Sequence, residues 1–412
     1  MKKIIISVYA CNPQKGSERG VGWGWVKTIG KYHKVWALVG SPDWADVQTE
    51  ITKNPDKFSN IHFYQIPRKR WLFLEKFWPP AYHWTYRLWL RDAYKLAVKL
   101  HREINFDLAH QLTYVGFRFP GHLWKLGIPF VWGPIGGLEN TPWRFLPSLG
   151  LYGMLYYAAR NIVNTSHKRF LRGPKEAFRR AEGGVIAATE GIRREIKRWY
   201  GVDSHVITEI GPPPEVAESP VLRNPGEPLR ISWSGLHLPG KALHFLLRAL
   251  SLLPGEINWK LDILGEGPLA EKWKKLARRL GIDKNCTWHG WLPRDEALSV
   301  VHESHIFVIT SMKDLTSTVT LEALSQGVPV ICPDHCGFSN VITRDCGIKI
   351  PLKNPKQLVM DMASAIEFIY NNEQDRRRLA RGALLRVEEF SWERKAQQLN
   401  RIYQDVLKGR RK

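Results

Sequence analysis

Residues 307–342, FVITSMKDLTSTVTLEALSQGVPVICPDHCGFSNVI, decide the fold of this chain. The apolar residues 307–309 indicate a short buried strand, and the hydroxyl side chains at 316–318 are typical of a helix start. We expect a helix over 319–326, which Gly327 ends before a second buried strand begins. A strand, a helix and a strand in this order predict a parallel sheet with a right-handed crossover.

Two carboxylates accompany the predicted helix. Asp314 lies in the turn before it, and Glu322 lies in its first turns. Backbone N–H groups at a helix start bind phosphate, and carboxylates accept hydrogen bonds from hydroxyls. The stretch therefore suits a ligand that carries both phosphates and sugar hydroxyls.

The size and charge of the chain limit its class. Its 412 residues, 44% of them hydrophobic, suit two α/β domains rather than one core or a disordered chain. The net charge is +22, and residues 1–210 hold 32 Lys and Arg against 16 Asp and Glu. This imbalance indicates an anionic partner, namely nucleic acid, anionic lipid or a phosphorylated substrate.

The cysteines and the apolar runs bear on the compartment. The five cysteines are odd in number and lack paired C-x2-C spacing, which favours free thiols in a reducing compartment over disulfides or a zinc site. The start, MKKIIISVYACNP, has no cleavage site and indicates a first strand rather than a signal peptide. No run approaches the roughly 20 apolar residues of a spanning helix. We expect a cytoplasmic protein, either free or peripheral on the inner face of the plasma membrane.

Residues 4–8 are expected to form the first strand, and a glycine-rich loop follows them. Gly20 and Gly22 belong to its G-x3-G-x-G-x-G pattern, which differs from the dinucleotide-binding G-x-G-x-x-G. The glycines allow the backbone to approach a ligand closely, or they simply let a helix pack. The sequence leaves both interpretations open.

Two later strands of the first half also end in polar or glycine-rich segments. The strand over 106–110 ends at His110, and the strand over 129–132 runs into Gly136, Gly137 and Glu139. Open α/β sheets bind ligands at the carboxyl ends of their strands, which makes these residues site candidates. His110 and Glu139 also suit purely structural roles.

Residues 68–100 and 142–180 interleave Arg and Lys with Trp, Tyr and Phe. Such a surface suits an anionic membrane or stacked bases, and it also suits helices with core aromatics and solvated cations. No nucleic-acid motif accompanies it, so we expect no nucleic-acid partner.

The domain organisation follows from a proline-rich segment. Residues 211–228 hold six prolines and form the clearest linker. We expect a first domain over 1–210, a second over 229–390 in which strands and helices alternate again, and a last helix over 391–412. Two such domains predict a pair of Rossmann-like α/β units that face a cleft.

Several motifs, in order, resemble one family. Asp314-x7-Glu322 resembles the E-x7-E segment of retaining GT-B glycosyltransferases of family 4, the glycosyl transferases group 1. The segment from Gly235 to Lys241 is similar to that family's phosphate loop, and LDILGEGP at 261–268 is similar to its glycine-bearing strand end. YACNPQKGSERGVGWGW and FVWGPIGG in the first half resemble a bacterial polysaccharide-type branch.

The resemblance implies a GT-B fold whose last helix packs back on the N-terminal domain. It implies that Lys241 neutralises a diphosphate, that Glu322 accepts from ribose hydroxyls, and that Asp314 holds the donor sugar. The residues assigned to catalysis are Asp314, Lys241 and His110. Those assigned to the donor are Glu322, Thr316, Ser317, Thr318, Gly235, Gly265, Gly267, Trp291 and Leu292. Those assigned to the loops of the first domain are Gly20, Gly22, Gly136, Gly137 and Glu139.

The implied activity is a retaining, metal-independent hexosyl transfer from a nucleotide-diphosphate sugar to a glycan or lipid-linked acceptor in bacterial cell-surface polysaccharide synthesis. No cofactor is implied, and the chain contains no D-x-D motif for a metal. Asp314 and Ser317 stand where the family usually has Glu and Gly, so we expect donor choice to be set there. The alternatives are a nucleotide-sugar epimerase or phosphorolytic enzyme of the same fold, and a non-catalytic sugar-binding module.

Overall fold

The computed structural model describes residues 1–67 and 81–409, so residues 68–80 of the predicted basic and aromatic surface lie outside the described chain. The chain divides into two compact units. The first comprises Met1–Glu139, Ser166–Gly211 and Ser391–Lys412, and the second comprises Asn140–Thr165 and Pro212–Phe390.

The first unit is built on a parallel sheet of seven strands in the order β3-β2-β1-β4-β5-β6-β7. The strands are β1 (Lys3–Val8), β2 (Lys34–Gly40), β3 (Ile61–Ile66), β4 (Leu108–Thr113), β5 (Phe130–Ile135), β6 (Val185–Ala187) and β7 (His205–Val206). Ile4, Ile5 and Ile6 of β1 are fully buried, as expected of a strand covered by helices on both faces. The strand order reverses between β1 and β4, where open α/β sheets form their ligand crevice.

The helices of the first unit include one from the far end of the chain. They are α1 (Ser17–Gly30), α2 (Trp44–Lys53), α3 (Ala81–Ile104), the end of α4 (Gly150–Phe170), α5 (Arg172–Arg180) and α6 (Glu190–Tyr200), and the C-terminal helix is Trp392–Gly409. Trp392 packs edge-on against Trp25, and a Cβ added at Gly24 would lie 2.3 Å from the Trp392 ring. The C-terminal helix therefore packs on the first unit, as predicted.

The second unit repeats the design with six parallel strands in the order β10-β9-β8-β11-β12-β13. They are β8 (Leu229–Ser234), β9 (Trp259–Leu264), β10 (Cys286–Gly290), β11 (Ile306–Val308), β12 (Val330–Pro333) and β13 (Gly347–Ile350). The helices are the start of α4, then α7 (His244–Leu250), α8 (Ala270–Arg279), α9 (Arg294–His302), α10 (Thr318–Ser325), α11 (Phe338–Val341), α12 (Pro355–Asn371) and α13 (Glu373–Glu388). With this numbering the C-terminal helix is α14. Short 3-10 segments are Ser41–Asp43, Pro55–Phe58, Leu123–Lys125, Trp143–Leu149, Pro239–Lys241 and Asp283–Asn285.

One segment falls outside the domain in which the sequence placed it. Residues 140–165 group with the second unit rather than with residues 1–139. Phe145 and Tyr157 belong to the buried core of the second unit, and Phe145 packs edge-on against Phe245 at 6.1 Å. The sequence shows these residues as apolar but does not show which core they enter.

Candidate active site

The crevice of the second unit lies where its strand order reverses, between β8 and β11. Lys241 follows β8 and Asp314 follows β11. Two hydrogen bonds hold this edge together: Trp233 Nε1 of β8 donates to Thr310 Oγ1 in the loop after β11 at 2.9 Å, and Thr310 Oγ1 donates to the Lys241 carbonyl in the loop after β8 at 2.6 Å. The indole and the threonine hydroxyl are buried, so the backbone at Lys241 is held firmly against the β11 loop.

Lys241 and Asp314 form an ion pair at this crevice. Lys241 Nζ lies 2.5 Å from Asp314 Oδ2, and the two side chains are 22% and 19% exposed. The Leu315 N–H donates to the other Asp314 oxygen at 3.0 Å. The structure thus brings together two residues that the sequence analysis gave separate tasks, and it leaves both within reach of a ligand.

The loop before α10 presents backbone N–H groups to the same edge. Ser317 precedes the helix with φ 67°, a backbone conformation that favours glycine. The first N–H groups of a helix have no partner within it, so those of Thr318 and Val319 are available to an anion. The Thr316 side chain is fully buried, so Thr316 can offer a donor only its backbone, and its assignment to the donor stays a prediction.

Glu322 lies one turn into α10 and has a partner that the sequence analysis missed. Arg294, at the start of α9, places its Nε 3.5 Å from Glu322 Oε1. Burial raises the pKa of Glu322, and the guanidinium of Arg294 opposes that rise. Arg294 is 28 residues from Glu322 in the chain, and its position directly after Trp291-Leu292-Pro293 is the only local signal for it.

The three donor-loop glycines of the second unit shape its carboxyl edge. A Cβ added at Gly265 would lie 2.3 Å from the Gly235 carbonyl, and one added at Gly267 would lie 2.9 Å from the His237 nitrogen. Gly265 and Gly267 also have positive φ angles of 106° and 152°. These glycines let the loop after β9 cross closely over the loop after β8, so packing accounts for them.

The predicted base pocket begins at an exposed ring. The Trp291 side chain is 71% exposed, and the Trp291 backbone N–H donates to Glu266 Oε1 at 3.3 Å. Leu292 is half-buried beside it. An exposed indole can stack on a base, and the assignment of Trp291 and Leu292 to the donor stays a prediction.

His110 of the first unit must be withdrawn from the reacting residues. It is fully buried in β4, where it faces the C-terminal helix rather than a crevice. Its Nδ1 lies 2.7 Å from the Tyr403 hydroxyl and its Nε2 lies 2.8 Å from the Gly133 carbonyl. Burial lowers its pKa to about 4. Both ring nitrogens are occupied, so His110 holds the C-terminal helix on the sheet.

Gly20 and Gly22 have a packing role. A Cβ added at Gly22 would lie 1.9 Å from the Ala10 carbonyl, and one added at Gly20 would lie 2.7 Å from the Lys15 carbonyl. The first turns of α1 therefore lie directly against the loop after β1. Of the two interpretations that the sequence left open, helix packing is the one that these distances favour.

Glu139 is also structural rather than exposed to a ligand. Thr189 Oγ1 donates to Glu139 Oε2 at 3.1 Å, and a Cβ added at Gly191 would lie 1.9 Å from the same carboxylate. The carboxylate therefore lies at the N-terminus of α6, where negative charge is favourable. Gly136 joins the loops after β4 and β5, since its carbonyl accepts from the Phe117 N–H at 3.3 Å, and Gly137 follows it with φ 84°.

The first unit has an acidic residue that the sequence analysis missed. Glu18 lies in the first turn of α1, and one carboxylate oxygen accepts from the Val115 N–H at 2.5 Å. It thus bridges the loops after β1 and β4, at the reversal of the strand order. Burial raises the pKa of Glu18 to about 7. Only its place next to the glycines of the YACNPQKGSERG loop could have singled it out.

The described residues contain neither a candidate metal centre nor a candidate membrane span. No group of three or more His, Cys, Asp or Glu in residues 1–67 and 81–409 could hold a metal ion. None of the helices in the same residues is both long and apolar enough to cross a bilayer. Metal independence stays a prediction.

Comparison with known proteins finds a family match in the second unit and relatives over a larger part of the chain. Residues 217–385 match the family described as Glycosyl transferases group 1, a range that contains Lys241, Asp314 and Glu322. The chain is 25% identical over 345 residues to a D-inositol 3-phosphate glycosyltransferase of Streptomyces bingchenggensis, with 76% of this chain and 69% of that protein covered. It is 32% identical over 155 residues to the lipopolysaccharide 1,6-galactosyltransferase of Escherichia coli, with 36% and 42% covered.

A solved structure shows the same fold along the whole chain. Anabaena Alr3699/HepE in complex with UDP superposes with a TM-score of 0.61 at 14% identity, with 98% of this chain and 100% of that one covered. The GT-B fold predicted from the sequence is confirmed, and the family that the sequence resembles matches residues 217–385.

Proposed function

We propose that the chain is a retaining, metal-independent hexosyltransferase of the family Glycosyl transferases group 1, on the GT-B fold. Its donor is a nucleotide-diphosphate sugar, and its acceptor is a glycan or lipid-linked sugar of a bacterial cell-surface polysaccharide. The observation that carries the proposal is the crevice of the second unit, in which Lys241, Asp314, Glu322 and the start of α10 occur together. The lipopolysaccharide enzyme among its relatives supports the acceptor class, and UDP in Alr3699/HepE supports the donor class.

The chemistry requires stabilisation of a leaving diphosphate. The bond between the sugar C1 and the diphosphate oxygen breaks, and a bond from the acceptor hydroxyl oxygen forms on the same face of the sugar. The proton of that hydroxyl passes to the leaving phosphate. Negative charge grows on the diphosphate, and the Lys241 ammonium with the N–H groups of Thr318 and Val319 would stabilise it. Asp314 holds the ammonium in place.

A screen of nucleotide-diphosphate sugars tests the proposal. A donor that binds the folded protein at 100 times its dissociation constant adds about 2.7 kcal/mol of stability, which raises the melting temperature of a 412-residue chain by about 3 °C. We expect this for at least one of the UDP-, GDP- and ADP-sugars, in thermal-shift measurements. Donor incubated alone should stay unchanged, since an epimerised sugar would favour the epimerase. A protein that no donor stabilises contradicts the proposal.

The raised pKa of Glu18 predicts a pH dependence of transfer. We propose that its ionised carboxylate orients the acceptor hydroxyl in the first unit. An acid with a pKa of about 7 is protonated below that pH and ionised above it. The kcat/KM for the acceptor should therefore rise between pH 6 and 8 with a midpoint of about 7.

Glu18→Gln supplies the control for that profile. The amide keeps the shape of the side chain and cannot ionise, so the rising limb should disappear and activity should stay at its low-pH value. Steady-state rates over the pH range, with the donor saturating, give the pH profiles of the unaltered protein and of the variant. An unchanged profile in the variant assigns the titration to another group.

The face of α4 that belongs to the second unit supports peripheral membrane binding. Leu151, Tyr152 and Ile162 are 71%, 75% and 63% exposed. Leu155 and Tyr156 are exposed as well, and all five lie within less than half of the helix circumference because a helix turns every 3.6 residues. The exposed Arg160 adds positive charge. We propose that this face enters the headgroup region at the cytosolic side of the plasma membrane.

Vesicle binding tests this face with a matched variant. A buried Leu or Ile side chain contributes about 1.5–3 kcal/mol, so Leu155→Glu with Ile162→Glu should lower partitioning into phosphatidylglycerol vesicles by about tenfold or more. Leu385→Glu, at another exposed position of the second unit, should bind as the unaltered protein does. Co-sedimentation measures the binding of the unaltered protein and of both variants. If the double variant binds as well as the unaltered protein, this face is excluded as the membrane contact.

A further inference from the structure

A second cavity lies in the first unit, away from the residues assigned above. It has a volume of about 420 Å³ and lies between the N-terminal half of α3, the loop after β4 and the start of α5. This volume is within the range of small-molecule sites, about 300–1,000 Å³. Its lining includes Arg87, Arg91 and Arg172 of the basic and aromatic stretches but none of the residues assigned to catalysis or to the donor.

Five cations line this cavity. They are Arg87, Arg91, Arg118, Lys125 and Arg172. Arg87 and Arg91 are one turn apart on α3 and therefore share one face of it. Arg118 Nε donates to His167 Nδ1 at 2.8 Å, so this guanidinium is held by a neutral ring.

Among the described residues, the one carboxylate in the lining is already engaged. Glu176 accepts from Arg179 Nη2 at 2.7 Å and from Arg180 Nε at 3.3 Å, both on its own helix. Within residues 1–67 and 81–409 no carboxylate forms an ion pair with Arg87, Arg91 or Arg172. Such a concentration of like charge favours an anionic ligand.

The pKa values of two neighbouring histidines are lowered by the same positive potential. Burial lowers the pKa of His83, and Arg87 and Arg118 lower it further. The same two arginines add to the lowering by burial at His167. The start of α5 also adds positive potential. Arg172 and Gly173 line the cavity, and their N–H groups belong to the first turn of that helix.

The wall of the cavity is apolar beneath the charged rim. Leu90, Pro120 and Pro174 are buried, and Phe119 is half-buried with the Arg87 guanidinium 5.4 Å above its ring. Arg87, Arg91 and Arg172 are exposed. A ligand that fits both parts has an anionic head and an apolar body.

We propose that this cavity binds a phosphate or diphosphate group carried on an apolar chain. The inference rests on the proposed function in one respect, since it assigns the phosphate to a lipid-linked acceptor. Arginine forks suit phosphate oxygens, and the wall takes the first carbons of the chain.

Calorimetric titration with farnesyl diphosphate, in the absence of donor, tests the proposal. Each charge-assisted hydrogen bond lost to phosphate weakens binding by about tenfold, so Arg87→Gln with Arg91→Gln should raise the dissociation constant about tenfold or more. Arg193→Gln with Arg194→Gln, two exposed arginines of α6, should bind as the unaltered protein does. Lys241→Ala should also bind normally, since its diphosphate site lies in the second unit.

Inorganic pyrophosphate distinguishes a lipid from a free phosphate. It should bind about tenfold or more weakly than farnesyl diphosphate, because it lacks the apolar chain. Undiminished binding by the Arg87 and Arg91 double variant, loss of binding in Lys241→Ala, or equal binding of pyrophosphate would each overturn the proposal. This titration contains no donor, so its result is independent of the donor screen. If a donor stabilises the protein but farnesyl diphosphate does not bind, the proposed function stands and only the assignment of this cavity is wrong.

Discussion

Lys241→Ala is expected to lower kcat for sugar transfer by about 100- to 1,000-fold, the usual cost of removing one preorganised group that stabilises transition-state charge. The charge on the leaving diphosphate grows in the transition state, so the loss should fall on kcat more than on the KM for the donor. Lys241 is held by Asp314 at 2.5 Å and its backbone by Thr310 at 2.6 Å, which places the ammonium before the donor arrives.

Two further variants sharpen the Lys241 prediction. Lys241→Arg keeps the charge and should restore part of the rate, whereas a purely structural lysine would show no such rescue. Lys275→Ala removes an exposed lysine of α8 in the same unit and should leave transfer unchanged. Thermal melting checks that each variant folds. A Lys241→Ala rate within about threefold of the unaltered enzyme contradicts the assignment.

Glu322→Gln is expected to weaken donor binding by about tenfold or more, because hydrogen bonds to a charged group contribute about 1.5–3 kcal/mol each. The two ribose hydroxyls would donate to this carboxylate, and an amide is a weaker acceptor that also presents donors to them. The side chain is only 17% exposed, so water replaces the lost contact poorly. Titration calorimetry with the donor found in the screen measures the change.

Arg294→Gln is the matched control for Glu322. It removes the same 3.5 Å contact and leaves the carboxylate in place. Donor affinity should then change by about threefold at most, as expected for a pair whose arginine is more than half exposed. If the two variants weaken binding equally, the ion pair positions α9 and α10, and the ribose assignment to Glu322 is wrong.

The crevice of the second unit could be predicted because the sequence pattern that indicates it lies within one short stretch of the chain. The strand, turn and helix around Asp314 and Glu322 are contiguous, and β8 and β11 are neighbours in any sheet of this strand order. Lys241 then follows from its place after the first strand. What the sequence did not show is that its ammonium pairs with Asp314, since 73 residues separate them.

The assignments in the first unit depended on distant partners. His110 ends a strand, which made it a site candidate, but its ring faces Tyr403, 293 residues further along the chain. Glu139 follows a glycine-rich turn, but its carboxylate lies at a helix start 50 residues away. Neither partner can be predicted from the residues close to His110 or Glu139 in the sequence. The same reason explains why Glu18 and Arg294 were missed.

Donor choice remains connected to two departures from the family pattern. Asp314 is one methylene shorter than the usual Glu, and its short reach suits the contact with Lys241 Nζ. Ser317 adopts φ 67° in place of the usual glycine. Both lie in the loop before α10, where we expect the sugar of the donor to be selected.

Determination of the structure with the nucleoside diphosphate of the best donor bound tests the central claim most directly. We predict the diphosphate within hydrogen-bond distance of Lys241 Nζ and of the N–H groups at the start of α10, with the ribose hydroxyls on the Glu322 carboxylate. A diphosphate bound instead at the arginines of the first unit, with Lys241 and Glu322 untouched, would contradict the account.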